Sequence, residues 1–322
     1  MGKKIATGIV AFIALGLLLL ALGLAWAHVS IRRERAPLPT AQAIVAAATG
    51  ERNEDGPIRL SFINTASQPM PRSAVLDRSR DPHPQSSYVM SHPSFVLEWA
   101  DGRILLIDLG MTRVGAAAFG TPLETLGGAA PIEPHFSVAE RLGAARNRVQ
   151  ALIFTHLHID HVGGIEDLCA ALDHPARLFM TEAQEERPNY TTKTGLNLLR
   201  QARCVRRERL TGGPLFRVPG FPGVEVIAAG GHTSGSQIIV AHLQGDGGGR
   251  SYVFTGDIVN NIDGINHDIP KPHLYSLLMV PEAPGRLGEL RQFLRHLRDD
   301  SGLSLLVSHD QLQLEQSGIP AW

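Results

Sequence analysis

Cysteine is nearly missing from this chain. Its 322 residues hold only Cys169 and Cys204, without a Cys-x-x-Cys spacing, which excludes a thiolate-built zinc module and leaves their pairing with each other open. Neither sign of charge is in excess. The 30 Lys and Arg against 31 Asp and Glu give a formal net charge of −1, with no basic block. A nucleic-acid partner needs a positive footprint, so that class is excluded. The one short basic stretch, Arg203 to Arg209, reads as a solvated helix end. Internal repeats are absent. The run Gly245-Asp246-Gly247-Gly248-Gly249-Arg250 sits between two strand-like segments and precedes no helix, so it reads as a hairpin turn and not a phosphate loop.

Apolar sequence, by contrast, is plentiful at 43%. Its longest run follows Lys3 and Lys4 and extends from Ile5 to about Val29 without a charged residue. That exceeds the ~20 residues needed to cross a bilayer core. It also exceeds the ~7–15 residues of a cleavable signal core, although Ala25-Trp26-Ala27 has the small-x-small form a signal peptidase accepts. The reading favoured is an uncleaved single-pass anchor over residues 5–29. Lys residues before the span and Arg32, Arg33 and Arg35 after it leave charge counting undecided. An N-terminal span before a folded domain most simply leaves that domain on the non-cytoplasmic side.

Four further apolar runs each end in a residue that can bind a metal. Ala151-Leu152-Ile153-Phe154 reads as a buried strand leading into Thr155-His156-Leu157-His158-Ile159-Asp160-His161. In an extended segment side chains alternate, so His156 and His158 point the same way and can share one ion. Asp160 and His161 follow where the chain should turn into a helix beginning near Gly163, which aims them at a neighbouring position. Four such ligands packed together repel or stay poorly solvated unless a cation holds them. A solvated His-rich turn is the bland alternative, and it suits isolated residues such as His83, His135, His174, His242 and His296.

The other three runs lead through Gly230-Gly231 to His232, through Thr255-Gly256 to Asp257, and through Val307-Ser308 to His309. Each alone could be a core His or a capping Asp. Together, in this order, they resemble the metallo-β-lactamase superfamily over about residues 58 to 322. The motifs that carry the likeness are His156-x-His158-x-Asp160-His161, Gly231-His232-Thr233-Ser234-Gly235-Ser236, Thr255-Gly256-Asp257 and Ser308-His309-Asp310. Asp108, at the end of the strand Ile104-Leu105-Leu106-Ile107, resembles the family's supporting Asp behind the ligands.

The resemblance implies an α/β fold, a four-layer αββα sandwich, here with an N-terminal transmembrane helix. It divides the chain into an anchor or signal segment (1–29), a linker (30–57) and a catalytic domain (58–322). It implies two divalent ions, zinc by default, with His156, His158 and His232 on the first, Asp160, His161 and His309 on the second, and Asp257 between them. Solvent held between two such ions becomes a hydroxide nucleophile near neutral pH, and Asp160 is expected to act as the catalytic proton carrier. The substrate would be a small molecule with an ester-like bond.

Within the superfamily the bridging Asp257 argues against the β-lactamases proper and fits lactonases, thioester hydrolases and phosphodiester hydrolases. The hairpin Phe95 to Asp108, with its Asp101-Gly102 turn, the segment from Phe136-Ser137-Val138 to the cluster and the Ser308-His309-Asp310 ending look most like N-acyl homoserine lactonases. A lactone is therefore the first expectation, a thioester or phosphodiester the second. Those lactonases usually carry Tyr three residues after the bridging Asp, where this chain has Asn260. A rival is a mononuclear iron persulfide dioxygenase using His156, His232 and Asp257, against which the complete second set leans. A non-enzymatic binding module is disfavoured by seven intact ligands.

Three segments outside the motifs invite a reading. Residues 65 to 93, rich in Pro and Ser, and Gly110 to Pro134, with Phe119, Leu123 and Leu126, are expected as long loops, lids or disordered. Residues 182 to 215 are expected as a helical insertion walling the pocket.

Overall fold

Strands of this chain alternate between two apolar faces, and that alternation builds two sheets with helices outside both. The computed structural model describes residues 2–32, 36–49, 55–244 and 249–322. The strands are β1 Arg59–Pro69, β2 Val89–Glu98, β3 Ile104–Ile107, β4 Glu133–Pro134, β5 Val149–Ile153, β6 Ala176–Met180, β7 Val205–Arg209, β8 Leu215–Arg217, β9 Val224–Ala228, β10 Gln237–His242, β11 Ser251–Phe254 and β12 Ser304–Leu306. They form a seven-stranded sheet in the order β4-β1-β2-β3-β5-β6-β7 and a five-stranded sheet in the order β12-β11-β10-β9-β8.

Period-two side chains decide which layer each residue joins. Phe95, Leu105, Ile107 and Ile153 from the large sheet meet Val226, Ile239 and Phe254 from the small one. Their neighbours Val96, Leu106 and Leu152 turn outward onto the helices Val138–Leu142, Ile165–Ala171 and Lys193–Gln201. Ile227, Val240 and Val253 turn outward on the other side, onto the helix Pro284–Asp299. The result is the expected four-layer αββα sandwich. Each such side chain, fully removed from water, contributes roughly 1.5–3 kcal/mol.

β3, β5 and β6 are parallel, as are β11 and β12. β9 shares the direction of β11 because each is antiparallel to β10. The C-terminal ends of β3, β5, β9, β11 and β12 therefore gather at one edge of the sandwich. Gln237 N–H donates to Thr155 O at 2.7 Å and ties the two sheets together there.

Several expectations need correction. The loop expected over 65–93 is shorter, because β1 runs to Pro69 and β2 begins at Val89. Pro93 hid the second strand. It fits because it faces a bulge between Asn64 and Ser67 and lies beyond the reach of β3, which pairs only with Phe95 to Glu98. The segment Gly110 to Pro134 is mostly a helix, Arg113–Leu126, capped by Thr112 Oγ1 on Gly115 N–H. Basic residues 203 to 209 supply the edge strand β7 and not a helix end. Arg207 and Arg209 pair with Glu185 there, and charge on an exposed edge discourages pairing with another chain. β10 and β11 are antiparallel, as a hairpin requires, while residues 245–248 of its turn lie outside the described residues.

Cys169 and Cys204 are joined in a disulfide, which ties the helix Ile165–Ala171 to the residue before β7. At the N-terminus one helix, Gly2–Arg32, contains a span, Ile5–Ile31, long and apolar enough to cross a membrane, as a signal sequence also can be. The helix Ala41–Thr49, within the segment expected as a linker, buries Ile44 against the core beneath Leu287 and Leu290.

Candidate metal centre

The gathered strand ends put every sequence-expected ligand in one place. After β5 the chain stays extended through His156 and His158, then closes a short helix, Ile159–Val162, that carries Asp160 and His161. Gly231, at φ 86, turns the chain after β9 so that His232 points inward. Gly256, at φ 53, does the same for Asp257, and a Cβ there would lie 2.9 Å from Thr155 Cβ. Both positions require glycine.

Three sets of ligand atoms lie within 4.8 Å of one another: His156, His158, His232 and Asp257; His161, Asp257 and His309; and His92, Asp160 and His309. His158 Nδ1 is 3.0 Å from His156 Nε2 and 3.2 Å from His232 Nε2. His161 Nε2 is 3.3 Å from His309 Nε2. Asp257 stands between the first two sets. Its Oδ2 is 3.6 Å from His232 Nε2 and 3.1 Å from His309 Nε2, and Oδ1 is 3.3 Å from His161 Nε2.

The outer nitrogens are held, which aims the inner ones at the centre. His161 Nδ1 donates to Asp108 Oδ2 at 2.9 Å, and Asp108 also accepts from Thr155 N–H and Oγ1. His232 Nδ1 donates to Glu282 Oε1 at 2.7 Å, and His309 Nδ1 to Ser91 O at 2.7 Å. His158 reaches Thr191 Oγ1 through Nε2.

Burial, reinforced by His161, pushes His156 well below the ordinary imidazole value. Burial and His232 bring His158 to about 3. Burial opposes ionisation of Asp257, yet His309, His161 and His156 outweigh it and keep the carboxyl well below its usual range. Asp257 Oδ1 is buried without a hydrogen-bond partner. Burial likewise lowers His232, whereas at His161 and His309 burial is outweighed by Asp257 and both imidazoles are raised. Five imidazoles converging at 3.0–3.3 Å around one ionised carboxylate form a donor set that fits divalent cations, whose charge would replace the protons on His161 and His309.

Residues 87–305 match the metallo-β-lactamase superfamily, about two thirds of the chain. This chain belongs to that superfamily. No curated protein matches its sequence.

Among solved structures of the same fold is an N-acyl homoserine lactone hydrolase with N-hexanoyl-L-homoserine bound at its catalytic metal centre. It is 17% identical over 81% of this chain and 96% of that one, with a TM-score of 0.59. A variant of AiiA from B. thuringiensis with N-decanoyl-L-homoserine at its active site is 18% identical over 81% and 96%, with a TM-score of 0.59. AidC, a dizinc quorum-quenching lactonase, is 13% identical over 79% and 88%, at 0.51. At such identities the likeness is one of fold.

The metallo-β-lactamase centre here has companions that sequence reading missed. His92, on β2, is fully buried with both ring nitrogens unpartnered, and its Nδ1 lies 3.5 Å from Asp160 Oδ2. Burial brings it to about 4. Lys271 Nζ donates to Asp257 O at 2.6 Å and to Glu282 Oε1 at 2.9 Å. Burial opposes ionisation of Glu282, but Lys271 and His232 hold it at about 2. Lys271 ends no apolar run, and Glu282 follows Leu277-Leu278-Met279-Val280-Pro281, a run that carries no strand motif and was passed over.

A cavity of about 610 Å³ opens over the cluster. Its floor includes His158, Asp160, Asp257 and His309, and its walls include Met70, Val75, Met90, Phe119, Leu123 and Val280. The two segments expected as loops contribute to those walls, one as a helix. Of the expected insertion, Thr191 reaches the cavity. Asn260 and Tyr275 also line it, and Asn260 Oδ1 has no hydrogen-bond partner.

Proposed function

We propose that this protein is a membrane-anchored, dinuclear metal-dependent hydrolase of an ester-like bond, with a lactone bearing an acyl chain as its substrate. One observation carries the reading: an apolar cavity of about 610 Å³ has the convergent His and Asp side chains as its polar floor. Such a shape suits a ligand with a greasy tail and one polar reacting group. The same fold in other proteins holds N-hexanoyl-L-homoserine at a catalytic metal centre and N-decanoyl-L-homoserine at an active site, which agrees with that shape.

In this proposal His156, His158 and His232 would hold one ion and Asp160, His161 and His309 the other, with Asp257 available to both. Zinc is the metal favoured by nitrogen and oxygen donors without thiolates. Bound there, the ions would supply Lewis acidity and an acidified water. The chain's own groups do the rest. Asp108 and Glu282 orient the rings through hydrogen bonds at 2.9 and 2.7 Å. Burial opposes ionisation of Asp160, but His161 and His92 outweigh it and hold the carboxylate ionised. In this proposal Asp160 would carry a proton to the departing oxygen.

Anchoring is supported by the span Ile5–Ile31, and a non-cytoplasmic domain by the Cys169–Cys204 disulfide, which persists in oxidising compartments. The test is a hydrolysis screen of lactones, thioesters, β-lactams and phosphodiesters with the full chain in detergent, beside elemental analysis. Two zinc-like ions per chain with lactone turnover is the expected result. One iron per chain with oxygen consumption would sink it in favour of a dioxygenase.

A further inference from the structure

A single turn of the chain touches both the cavity and the apolar N-terminal helix. Tyr275–Met279 forms one π-helical turn, a rare geometry that concentrates at functional sites. Leu274, Tyr275 and Met279 line the cavity above the His and Asp floor. The carbonyl of Leu277, in the same turn, accepts from His28 Nε2 at 3.0 Å. Ala27 and Ile31, near the end of the N-terminal helix, are buried, so the helix is seated on the domain there.

The outer face of this turn is apolar and open. Leu274 is 67% exposed, Met279 52% and Leu277 38%. Residues 274–280 contain no charged side chain. Tyr190 lies beside them, its hydroxyl 3.5 Å from Met279 O, and is exposed as well. A patch of this kind on a water-facing surface marks a contact site. Continuity says what covers it. The apolar span of 27 residues is roughly 40 Å long, against a bilayer core of about 30 Å. The surplus places His28, and with it the Leu277 turn, at the level of the lipid headgroups. Trp26, exposed one turn earlier, suits the same interface.

We infer that the mouth of the cavity opens onto the bilayer, and that the substrate is a long-chain acylated lactone drawn from the membrane leaflet. Its chain passes over Leu274 and Met279 while its ring rests on the His and Asp cluster. The substrate half of this inference rests on the lactone reading above. The position of the mouth does not.

Position and substrate are tested separately, with the full chain in phosphatidylcholine vesicles containing lipid brominated on its acyl chains. Quenching present in the unaltered chain and lost in Trp26→Phe reports insertion of the helix, since Trp99 and Trp322 are common to both. In the Trp26→Phe background, and read as the excess over it, Leu277→Trp places an indole on the turn, and Leu312→Trp places one on the surface helix Gln311–Gln316, where Leu312 is 61% exposed. The expected result is quenching several-fold stronger at 277 than at 312. Equal quenching at the two positions, or none at Trp26, overturns the inference. For the substrate, kcat/KM of a dodecanoyl lactone should exceed that of a butanoyl lactone by at least tenfold in vesicles. Leu277→Glu should remove most of that ratio while leaving the butanoyl rate unchanged. A ratio near one in the unaltered chain overturns the substrate half. No turnover of any lactone overturns the function proposed above, and the quenching still decides where the mouth lies.

Discussion

Glu282 Oε1 accepts a hydrogen bond from His232 Nδ1 at 2.7 Å, fifty residues apart in the chain and both wholly buried. Lys271 reaches the same oxygen at 2.9 Å, and Ser276 Oγ donates to Oε2. One carboxylate thus orients a ring of the candidate centre, neutralises a buried ammonium and fastens the turn that walls the cavity. Lys271 in turn holds Asp257 through its backbone carbonyl. The His232 loop, the Asp257 loop and the cavity wall are one electrostatic unit.

That unit predicts a specific loss in Glu282→Gln. The amide keeps the volume but leaves Lys271 without its counter-charge and weakens the hold on His232. Metal affinity, measured by competition with a chelator, should fall roughly 10- to 100-fold, the usual effect of removing a partner of a ligating His. Unchanged affinity would mean that Glu282 serves the fold alone.

His92 and Asp160 form a second relationship with its own consequence. The imidazole lies edge-on between Phe119 and His309, with Nδ1 facing the Asp160 carboxylate. His92→Phe fills the space without the nitrogen. Removing the nitrogen 3.5 Å from that carboxylate takes away an electrostatic contact and not a formed hydrogen bond, so kcat should drop about 10-fold. Asp160→Asn should lower turnover further while total metal content falls less. Proportional loss of metal and activity in both variants would assign these residues to binding alone.

The candidate ligands were legible in the sequence because each follows an apolar run, and a run of that kind is a strand whose end must surface. Asp108 was legible for the same reason. His92 was hidden because Pro93 masked its strand, and only the bulge opposite explains how proline fits there. The helix Arg113–Leu126 was hidden by Gly115, Gly120 and Pro122, none of which favours helix. It is held instead by the Thr112 cap and by Ala116 and Phe119 packed against Met111 and Ile132. Glu282, Lys271 and Tyr275 come from irregular segments whose value lies entirely in where the fold carries them.

Acid should loosen the cavity wall before the rest of the domain. Arg72 forks Asp81 with two bonds of 2.8 and 2.9 Å and reaches Asp263 at 2.9 Å, pinning the segment between β1 and β2. The Arg72 bond outweighs burial and holds Asp81 below 3.8. A carboxyl depressed in the folded state stabilises fully above its unfolded value and loses that contribution as pH falls through the folded one. Asp81→Asn should therefore cost roughly 1–3 kcal/mol at pH 7. The gap from the unaltered chain should close as pH falls below the ordinary carboxylate range in chemical unfolding. A gap that persists in acid would show that shape, and not charge, holds the segment.

Tyr275 brings a phenol to the cavity that Asn260 also lines and that Asn260 cannot supply. Burial, with Glu282 and Asp257 nearby, pushes its hydroxyl well above 10, so it remains a hydrogen-bond donor at every pH the protein meets. A donor aimed at the substrate oxygen is useful only as that oxygen gains charge, which is a contribution to kcat more than to KM. Tyr275→Phe should lower kcat roughly 10- to 100-fold and leave both metal content and the alkaline limb of the pH profile unchanged. Because the ring also packs over Lys271 at 5.4 Å, the Phe variant keeps that contact and isolates the hydroxyl. An alkaline limb that moves in the variant would mean the phenol itself ionises during turnover, and the role of Tyr275 would then be that of a base.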